Sequence, residues 1–294
     1  MNGTDWSIQT IGKGWLDTSL AIDSADNPHI AYTWGNLMYA SLNGSSWNVQ
    51  TLPNTGNSSH PYLALDKQDN PHIMYEEGGY PNTEKSIKYA KLDPEIGWNI
   101  QTVVANLRPD GHNLFHFALD SYGNPHFTYR QFYSDLSYNS WDGTAWKNQS
   151  VAEDFNSGGN AGGYFTLDRY NQPHIVYFKG TSFGGNLIYA IWAGDKWDIQ
   201  TVVKNTATHP GTIAIDNNGT IHISYAGPSL YGNQSPTDVM YATATEPLLT
   251  PAPTPTTTPV TSPAQVIEAT IVISIIVVAV TVAGLLIFLR KRKH

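Results

Sequence analysis

The chain has no cysteine among its 294 residues. That excludes disulfides, cysteine-ligated zinc and thiol catalysis together. Positive charge is also scarce: 16 Lys and Arg stand against 24 Asp and Glu, for a net charge of −8. Four of those basic residues (Arg290, Lys291, Arg292, Lys293) lie at the very end, and only one acid, Glu268, lies beyond position 250. Residues 1–250 therefore hold 12 basic against 23 acidic side chains. So acidic a body argues against nucleic acid as a partner. The opening Met1 to Trp6 lacks the basic and apolar run of an export leader. A leader lost upstream, or a start assigned late, is the expectation; a tail-anchored cytosolic protein is the alternative, and it would leave the basic tail on the wrong side.

What the chain does contain is a repeat. Leu20–Tyr32 is an apolar segment ending at Asp23, a polar turn, then His29-apolar-x-Tyr32. It recurs at Leu63–Tyr75, Phe117–Tyr129, Phe165–Tyr177 and Ile213–Tyr225, with His29, His72, His126, His174 and His222 spaced 43, 54, 48 and 48 residues apart. Alternation on both sides of a Gly/Asn/Asp/Pro turn signals a β-hairpin. Each hairpin precedes a third segment centred on Tyr39, Tyr89, Tyr138, Tyr189 or Tyr241. Four of these precede a fourth segment led by Trp47, Trp98, Trp146 or Trp197. Four short strands per 40–50 residues match a β-propeller blade, so the expected fold is an all-β, five-bladed propeller over residues 1–248. The fifth unit lacks its Trp segment, while Trp6-Ser7-Ile8-Gln9-Thr10 is a spare one. Pairing residues 6–10 with 239–242 is expected to close the ring and hide its sheet edges.

Beyond the propeller, residues 249–265 form a Thr/Pro-rich stalk, able to extend roughly 45 Å at about 3.1 Å per residue and suited in composition to O-glycosylation. Residues 266–289 are expected to form a single transmembrane helix, Ala269–Leu289 giving 21 positions without a charge. The basic tail 290–294 should stay cytoplasmic and leave the propeller outside. Six N-x-S/T sequons, at Asn2, Asn43, Asn57, Asn148, Asn218 and Asn233, agree with that placement.

The repeated Asp, His and Tyr read as scaffold. Asp closes its turn through its own carboxylate, His steadies the turn by a hydrogen bond, and Tyr and Trp fill the space between blades. Calcium at Asp23/Asp26 or Asp66/Asp69 would need more oxygens than two carboxylates supply. No metal and no cofactor are expected. The residues that break the repeat are more informative. Strand alternation puts the uniform turns on one face and the second-to-third-strand loops and inter-blade crossings on the other, and these vary. Variable loops on a rigid scaffold are where binding resides. The candidate ligand-binding residues there are Trp34, Tyr62, Glu76, His116, Arg130, Tyr133 and Tyr164, of which Tyr62, His116 and Tyr164 should ring the channel mouth. Aromatic faces beside hydrogen-bonding groups suit a sugar.

The hairpin text, Asp-x-x-(Asp/Gly/Asn)-(Asn/Gln)-Pro-His-(Ile/Phe)-x-Tyr, resembles repeats in cell-surface propellers of archaea and bacteria, grouped with sialidase-like propellers and often held by one C-terminal helix. The resemblance covers residues 6–243 and implies fold and location rather than chemistry. It departs from true sialidases, whose Asp box lies before the last strand and which use an arginine triad. This body has only Arg108, Arg130 and Arg169, the last in an Asp-to-His turn on the other face. The expected function is non-catalytic binding of a glycan or an envelope protein. One alternative is a glycoside hydrolase with paired carboxylates, drawn from Asp17, Glu76, Glu77, Asp110, Glu153 and Asp154. Another is a structural spacer in a surface layer.

Overall fold

The computed structural model describes residues 6–15, 17–78, 84–107, 114–130, 135–152, 163–181, 184–207, 209–227 and 238–245. They form five antiparallel sheets in chain order. The first holds β1 (Thr18–Ile22), β2 (Pro28–Trp34), β3 (Asn36–Asn43) and β4 (Ser46–Gly56). The second holds β5 (Ser58–Leu65), β6 (Pro71–Glu77), β7 (Lys85–Asp93) and β8 (Gly97–Leu107). The third holds β9 (Leu114–Leu119), β10 (Pro125–Arg130), β11 (Leu136–Trp141) and β12 (Trp146–Ala152). The fourth holds β13 (Gly163–Leu167), β14 (Pro173–Thr181), β15 (Gly184–Trp192) and β16 (Trp197–Ala207). The fifth holds β17 (His209–Ile215), β18 (Thr220–Gly227) and β19 (Asp238–Thr245). Each sheet is an up-and-down meander, and the first strands lie side by side, β1 against β5, β5 against β9, β9 against β13 and β13 against β17. This is propeller architecture with the first strand of each sheet innermost.

The turns explain the repeat. Asp23 Oδ1 accepts from the backbone N–H of Ala25 (2.9 Å) and Asn27 (2.7 Å), and Asp66, Asp120, Asp168 and Asp216 do the same two and four residues on. The variable third position of the turn, Asp26, Asp69, Gly123, Asn171 or Gly219, has φ between 61° and 84° in every copy. Only Gly, Asn and Asp take up that left-handed conformation readily, which is why those three residue types alternate there. Asp69 has a further task, accepting at 2.9 Å from Ser24 N and at 2.5 Å from Ser24 Oγ across sheets; Asn171 accepts from Ser121 N at 2.8 Å in the same way. Asp69 is thus a tie between blades. Among the described residues, no group of three or more His, Asp or Glu is placed to hold a metal ion.

Each histidine bridges its turn to the third strand. Nε2 lies 3.3, 3.3, 3.6, 3.7 and 3.5 Å from the turn aspartate in chain order. Nδ1 lies 2.5–2.6 Å from the hydroxyl of Tyr39, Tyr89, Tyr138, Tyr189 or Tyr241. With Nδ1 accepting from the phenol, Nε2–H is left to donate to the carboxylate, which it does at 3.3 Å in His29 and His72. In His126 and His174 the carboxylate lies beyond hydrogen-bond reach and Nε2 has no partner among the described residues. The tyrosine ring then meets the tryptophan of the next sheet edge-on, at 5.2 Å for Tyr39–Trp98, 5.7 Å for Tyr89–Trp146 and 5.5 Å for Tyr138–Trp197. Trp98 Nε1 also donates to Gln50 Oε1 at 3.0 Å. Inter-sheet burial continues through the first strands, where Leu63, Phe117, Phe165 and Ile213 are all buried.

One expectation requires correction. Residues 6–10 are not a strand, and the fifth sheet has three strands in the order β17-β18-β19, so the ring is not closed by pairing with 239–242. The physical reason is visible at both ends of the array. Leu20 is 61% exposed where its counterpart Leu63 is 9% exposed, and Tyr241 is 62% exposed where Tyr39 is 3% exposed. Among the described residues no sheet covers β1 on one side or β19 on the other as the inner sheets cover each other, so the outer edge of β19 and the segment 6–10 are both left unpaired. The expected transmembrane helix at 266–289, the stalk at 249–265 and the tail at 290–294 lie outside the described residues. Among the described residues no helix is long and apolar enough to cross a membrane.

Candidate functional site

The loop face opposite the Asp turns gathers ionisable groups around the start of β5 and the end of β6. Between Ser59 and Tyr62 the pairing of these strands shifts register, and His60 sits in that bulge with φ 50°. Among the described non-glycine residues with positive φ, His60 is the one that is neither Asn nor Asp. Bulges re-aim side chains and occur next to functional sites. Here the bulge brings His60 Nδ1 within 3.7 Å of Glu76 Oε2 and Nε2 within 3.7 Å of Asp17 Oδ2, while the His60 N–H donates to Asp17 Oδ2 at 3.3 Å. Glu76 is 0% exposed and its Oε2 takes the Lys85 ammonium at 3.1 Å. The adjacent Glu77 pairs with Lys88.

Tyr62 lies one step inside this cluster on β5. Burial pushes its phenol up to about 12, and the nearby Tyr164, Glu76 and Asp17 push in the same direction. Tyr62, His116 and Tyr164 occupy equivalent positions on β5, β9 and β13, opposite Met74, Thr128 and Val176. The rings of His116 and Tyr164 have centroids 6.5 Å apart, and Phe165 backs His116 edge-on at 5.1 Å. Burial lowers the His116 pKa, which keeps the ring neutral, and its Nδ1 is buried without a hydrogen-bond partner among the described residues. Arg130, at the end of β10, occupies the place on its strand that Glu76 occupies on β6. It is 4% exposed, and burial lowers its pKa.

Of the residues expected from sequence, the structure therefore brings together Tyr62, Glu76, His116 and Tyr164, and sets Arg130 on the same face. Trp34 lies outside this group. It is an exposed ring packed edge-on against Trp15 at 6.1 Å, where Trp15 N donates to Thr33 O at 2.8 Å. Asp17, two residues from Trp15, links that pair to His60. Tyr133 lies outside the described residues, as do the acids Asp110, Glu153 and Asp154. Sequence reasoning did not single out Lys85 or Trp15, and it placed His60 on the variable face without assigning it a role. The signal for His60 was its break from the repeat just before Pro61; its left-handed backbone had no mark in the text. Asn43, Asn57, Asn148 and Asn218 are all exposed, though Asn148 Nδ2 donates to Asn139 Oδ1 at 2.9 Å. Asn2 and Asn233 lie outside the described residues.

The described residues define a β-propeller whose loop face carries a half-buried constellation of imidazole, phenol, carboxylate and ammonium groups. No protein-family model matches the chain, and no curated protein matches it in sequence. Solved structures do match. An ulvan lyase bound to -[GlcA(1-4)Rha3S]- is similar over 76% of this chain and 67% of its own, at 13% identity and a TM-score of 0.51. The Aleuria aurantia lectin in complex with alpha-methyl-L-fucoside is similar over 79% of each chain, at 13% identity and a TM-score of 0.47. The family 43 endo-arabinanase from Bacillus licheniformis is similar over 77% of this chain and 92% of its own, at 12% identity and a TM-score of 0.40. At such identities the first of these likenesses speaks for the fold alone.

Proposed function

We propose that the propeller binds a glycan without transforming it, through the face built by His60, Tyr62, Glu76, His116 and Tyr164. The observation that carries this reading is the mixture of partly buried aromatic rings and polar atoms at one place, including the unmet Nδ1 of His116. A buried acceptor without a partner costs roughly 1–3 kcal/mol, and a sugar hydroxyl can donate to it while the Tyr164 ring covers a C–H face. The ulvan lyase of similar fold was solved with an oligosaccharide, which makes a saccharide the first ligand class to test.

The hydrolase alternative is favoured by one feature: Glu76 and Asp17 lie on opposite sides of His60, each 3.7 Å from one ring nitrogen. Paired carboxylates flanking a glycosidic bond are what such enzymes need. Here, however, the imidazole itself fills the interval, and Glu76 is buried against Lys85. The arrangement therefore supports a fixed binding wall better than an acid–base pair. We place the propeller outside the cell, held by the span 266–289 above a Thr/Pro stalk with the basic tail inside, and glycosylated on its exposed sequons. That placement rests on the sequence pattern.

The test is a glycan array probed with the full chain in detergent, repeated with Tyr62→Ala and His116→Ala. Binding lost at least tenfold in both folded variants supports the site. Unchanged binding in both would move the ligand elsewhere, and no binding by the parent chain would leave an envelope protein partner or a spacer role.

A further inference from the structure

We infer that the outer edge of β19 is a docking site for this chain's own Trp6–Thr10 segment, with the Trp6 indole seated against Tyr189 and Gln200 of the fourth sheet. The inference does not rest on the glycan reading. It begins from a packing that recurs across the array. Trp98, Trp146 and Trp197, each leading a fourth strand, pack edge-on against the tyrosine of the preceding sheet's third strand. The first of them also donates its N–H to the glutamine of that sheet's fourth strand, while Nε1 of the other two has no partner among the described residues. Trp98 meets Tyr39 at 5.2 Å and Gln50 at 3.0 Å.

Two observations extend this packing beyond the four complete sheets. First, Trp47, which leads the fourth strand of the first sheet, donates through Nε1 to Gln9 Oε1 at 2.8 Å. Gln9 thus stands toward Trp47 as Gln50 stands toward Trp98. Gln9 therefore holds the place that the glutamine of an outer strand in a preceding sheet would hold, and in a ring of five that sheet is the fifth. Second, a cavity of about 140 Å³ lies between the fourth and fifth sheets, lined by Tyr189, Gln200, Val202, Ile221, Ile223 and residues 242–245 of β19. Tyr189 and Gln200 are the counterparts of Tyr39 and Gln50. The cavity is therefore bounded by the two groups a leading tryptophan meets elsewhere, and by the strand edge it would pair with.

The exposed apolar groups have the same distribution. Trp6 and Ile8 are 93% and 90% exposed, and so largely is Val239 on the edge they would meet. Exposed apolar patches of this kind mark a surface that takes a partner, and an unpaired strand edge offers backbone donors and acceptors to it. The register follows from the other sheets. Tyr39 pairs with Gln50, Tyr89 with Gln101, Tyr138 with Gln149 and Tyr189 with Gln200. Tyr241 then pairs with Gln9, Ala242 with Ile8, Thr243 with Ser7 and Ala244 with Trp6. Docking in that register brings the fifth sheet beside the first and places Tyr241 under Trp47.

Because the chain has no cysteine, a pair introduced into the full-length protein reports on one distance. Ser7→Cys with Thr243→Cys places the two Cα atoms within the roughly 4.4–6.8 Å that a disulfide spans. The control, Ser7→Cys with Val239→Cys, is four residues off register, about 13 Å along the strand. The expected result under mild oxidation is an intramolecular disulfide in most monomers of the first variant and in few of the second. Equal yields in both, no disulfide in either, or linkage confined to dimers would overturn the inference, the last by showing exchange between chains. Hydroxyl-radical footprinting of the unaltered protein decides the matter where a variant fails to fold. Docking predicts that Trp6 reacts several-fold more slowly than Trp15 and about as slowly as Trp98, and reactivity of Trp6 equal to that of Trp15 overturns it.

Discussion

Acid should destabilise this propeller through a specific histidine before it protonates the turn carboxylates. His72 is fully buried, and burial is the largest cause that depresses its pKa, from 6.5 to about 4; the Lys91 ammonium depresses it further, while the hydrogen bond to Asp66 and that carboxylate's charge oppose both. The fold therefore holds His72 neutral where an unfolded chain would protonate it. A group whose folded pKa is depressed contributes stability that is fully present above its unfolded value of about 6.5 and is lost as pH falls toward 4. At about 1.4 kcal/mol per unit, a depression of about 2.5 units is worth about 3 kcal/mol. Asp66, also depressed, acts in the same direction but below the ordinary carboxylate range. Urea unfolding of the parent chain and of His72→Asn between pH 7.5 and 4.5 measures the difference. The variant should be less stable at pH 7.5, and the gap should shrink by at least about 2 kcal/mol by pH 4.5. Parallel curves, or a His72 ring resonance titrating near 6.5 in the native state, would refute the reasoning.

Other consequences are simpler. Lys85→Met leaves the Glu76 carboxylate buried without its ammonium, so unfolding free energy should fall by about 3–5 kcal/mol; adding Glu76→Met should restore most of it in a double-mutant cycle. Tyr138→Phe removes the hydroxyl 2.5 Å from His126 Nδ1, and the buried acceptor left behind should cost about 1–3 kcal/mol by the same unfolding assay. A Cβ at Gly163 would stand 2.6–2.7 Å from both terminal carbons of the buried Leu136. Gly163→Ala should therefore lower stability by about 1–3 kcal/mol, and Leu136→Ala in the same chain should relieve the overpacking while adding its own cavity cost.

The sheets were legible in the sequence because one hairpin text occurs five times and its polar positions have local partners. An aspartate that hydrogen-bonds two and four residues ahead needs no tertiary information to be recognised. The tyrosines and tryptophans were legible as inter-blade filling for the same reason, since a residue recurring once per sheet must meet the same neighbour each time. Tyr62, His116 and Tyr164 could be named because they occupy one register position on successive inner strands and interrupt an otherwise bland column. The role of His60 was not legible, because it depends on a left-handed backbone and on a register shift between Ser59 and Tyr62, neither of which has a compositional mark. The neighbour of Trp34 was not legible for a related reason: its ring meets Trp15, from a crossing that periodicity cannot position.

The second sheet shows why a repetitive scaffold suits a site that is itself costly. On β6, His72 opens the strand within the Asp66–His72–Tyr89 relay, and four residues later Glu76 closes it within the ionic cluster. The cluster end is unfavourable by itself: a non-glycine residue in the left-handed region costs about 1–3 kcal/mol, and a buried ion pair seldom recovers its desolvation. The relay end provides an offset of comparable size. Its Asp turn, its His–Tyr hydrogen bond and the Tyr89–Trp146 contact each contribute about 0.5–1.5 kcal/mol, and the neighbouring sheets repeat them. Because one strand joins the two ends, loosening the relay should disturb the cluster before the sheet unfolds. Tyr89→Phe, which keeps the ring and deletes only the bond to His72, is the probe. The His60 ring resonances, recorded in the native state without denaturant, should shift or broaden in this variant. An unchanged His60 spectrum beside a measurable loss of global stability would show that the two ends of β6 are energetically independent.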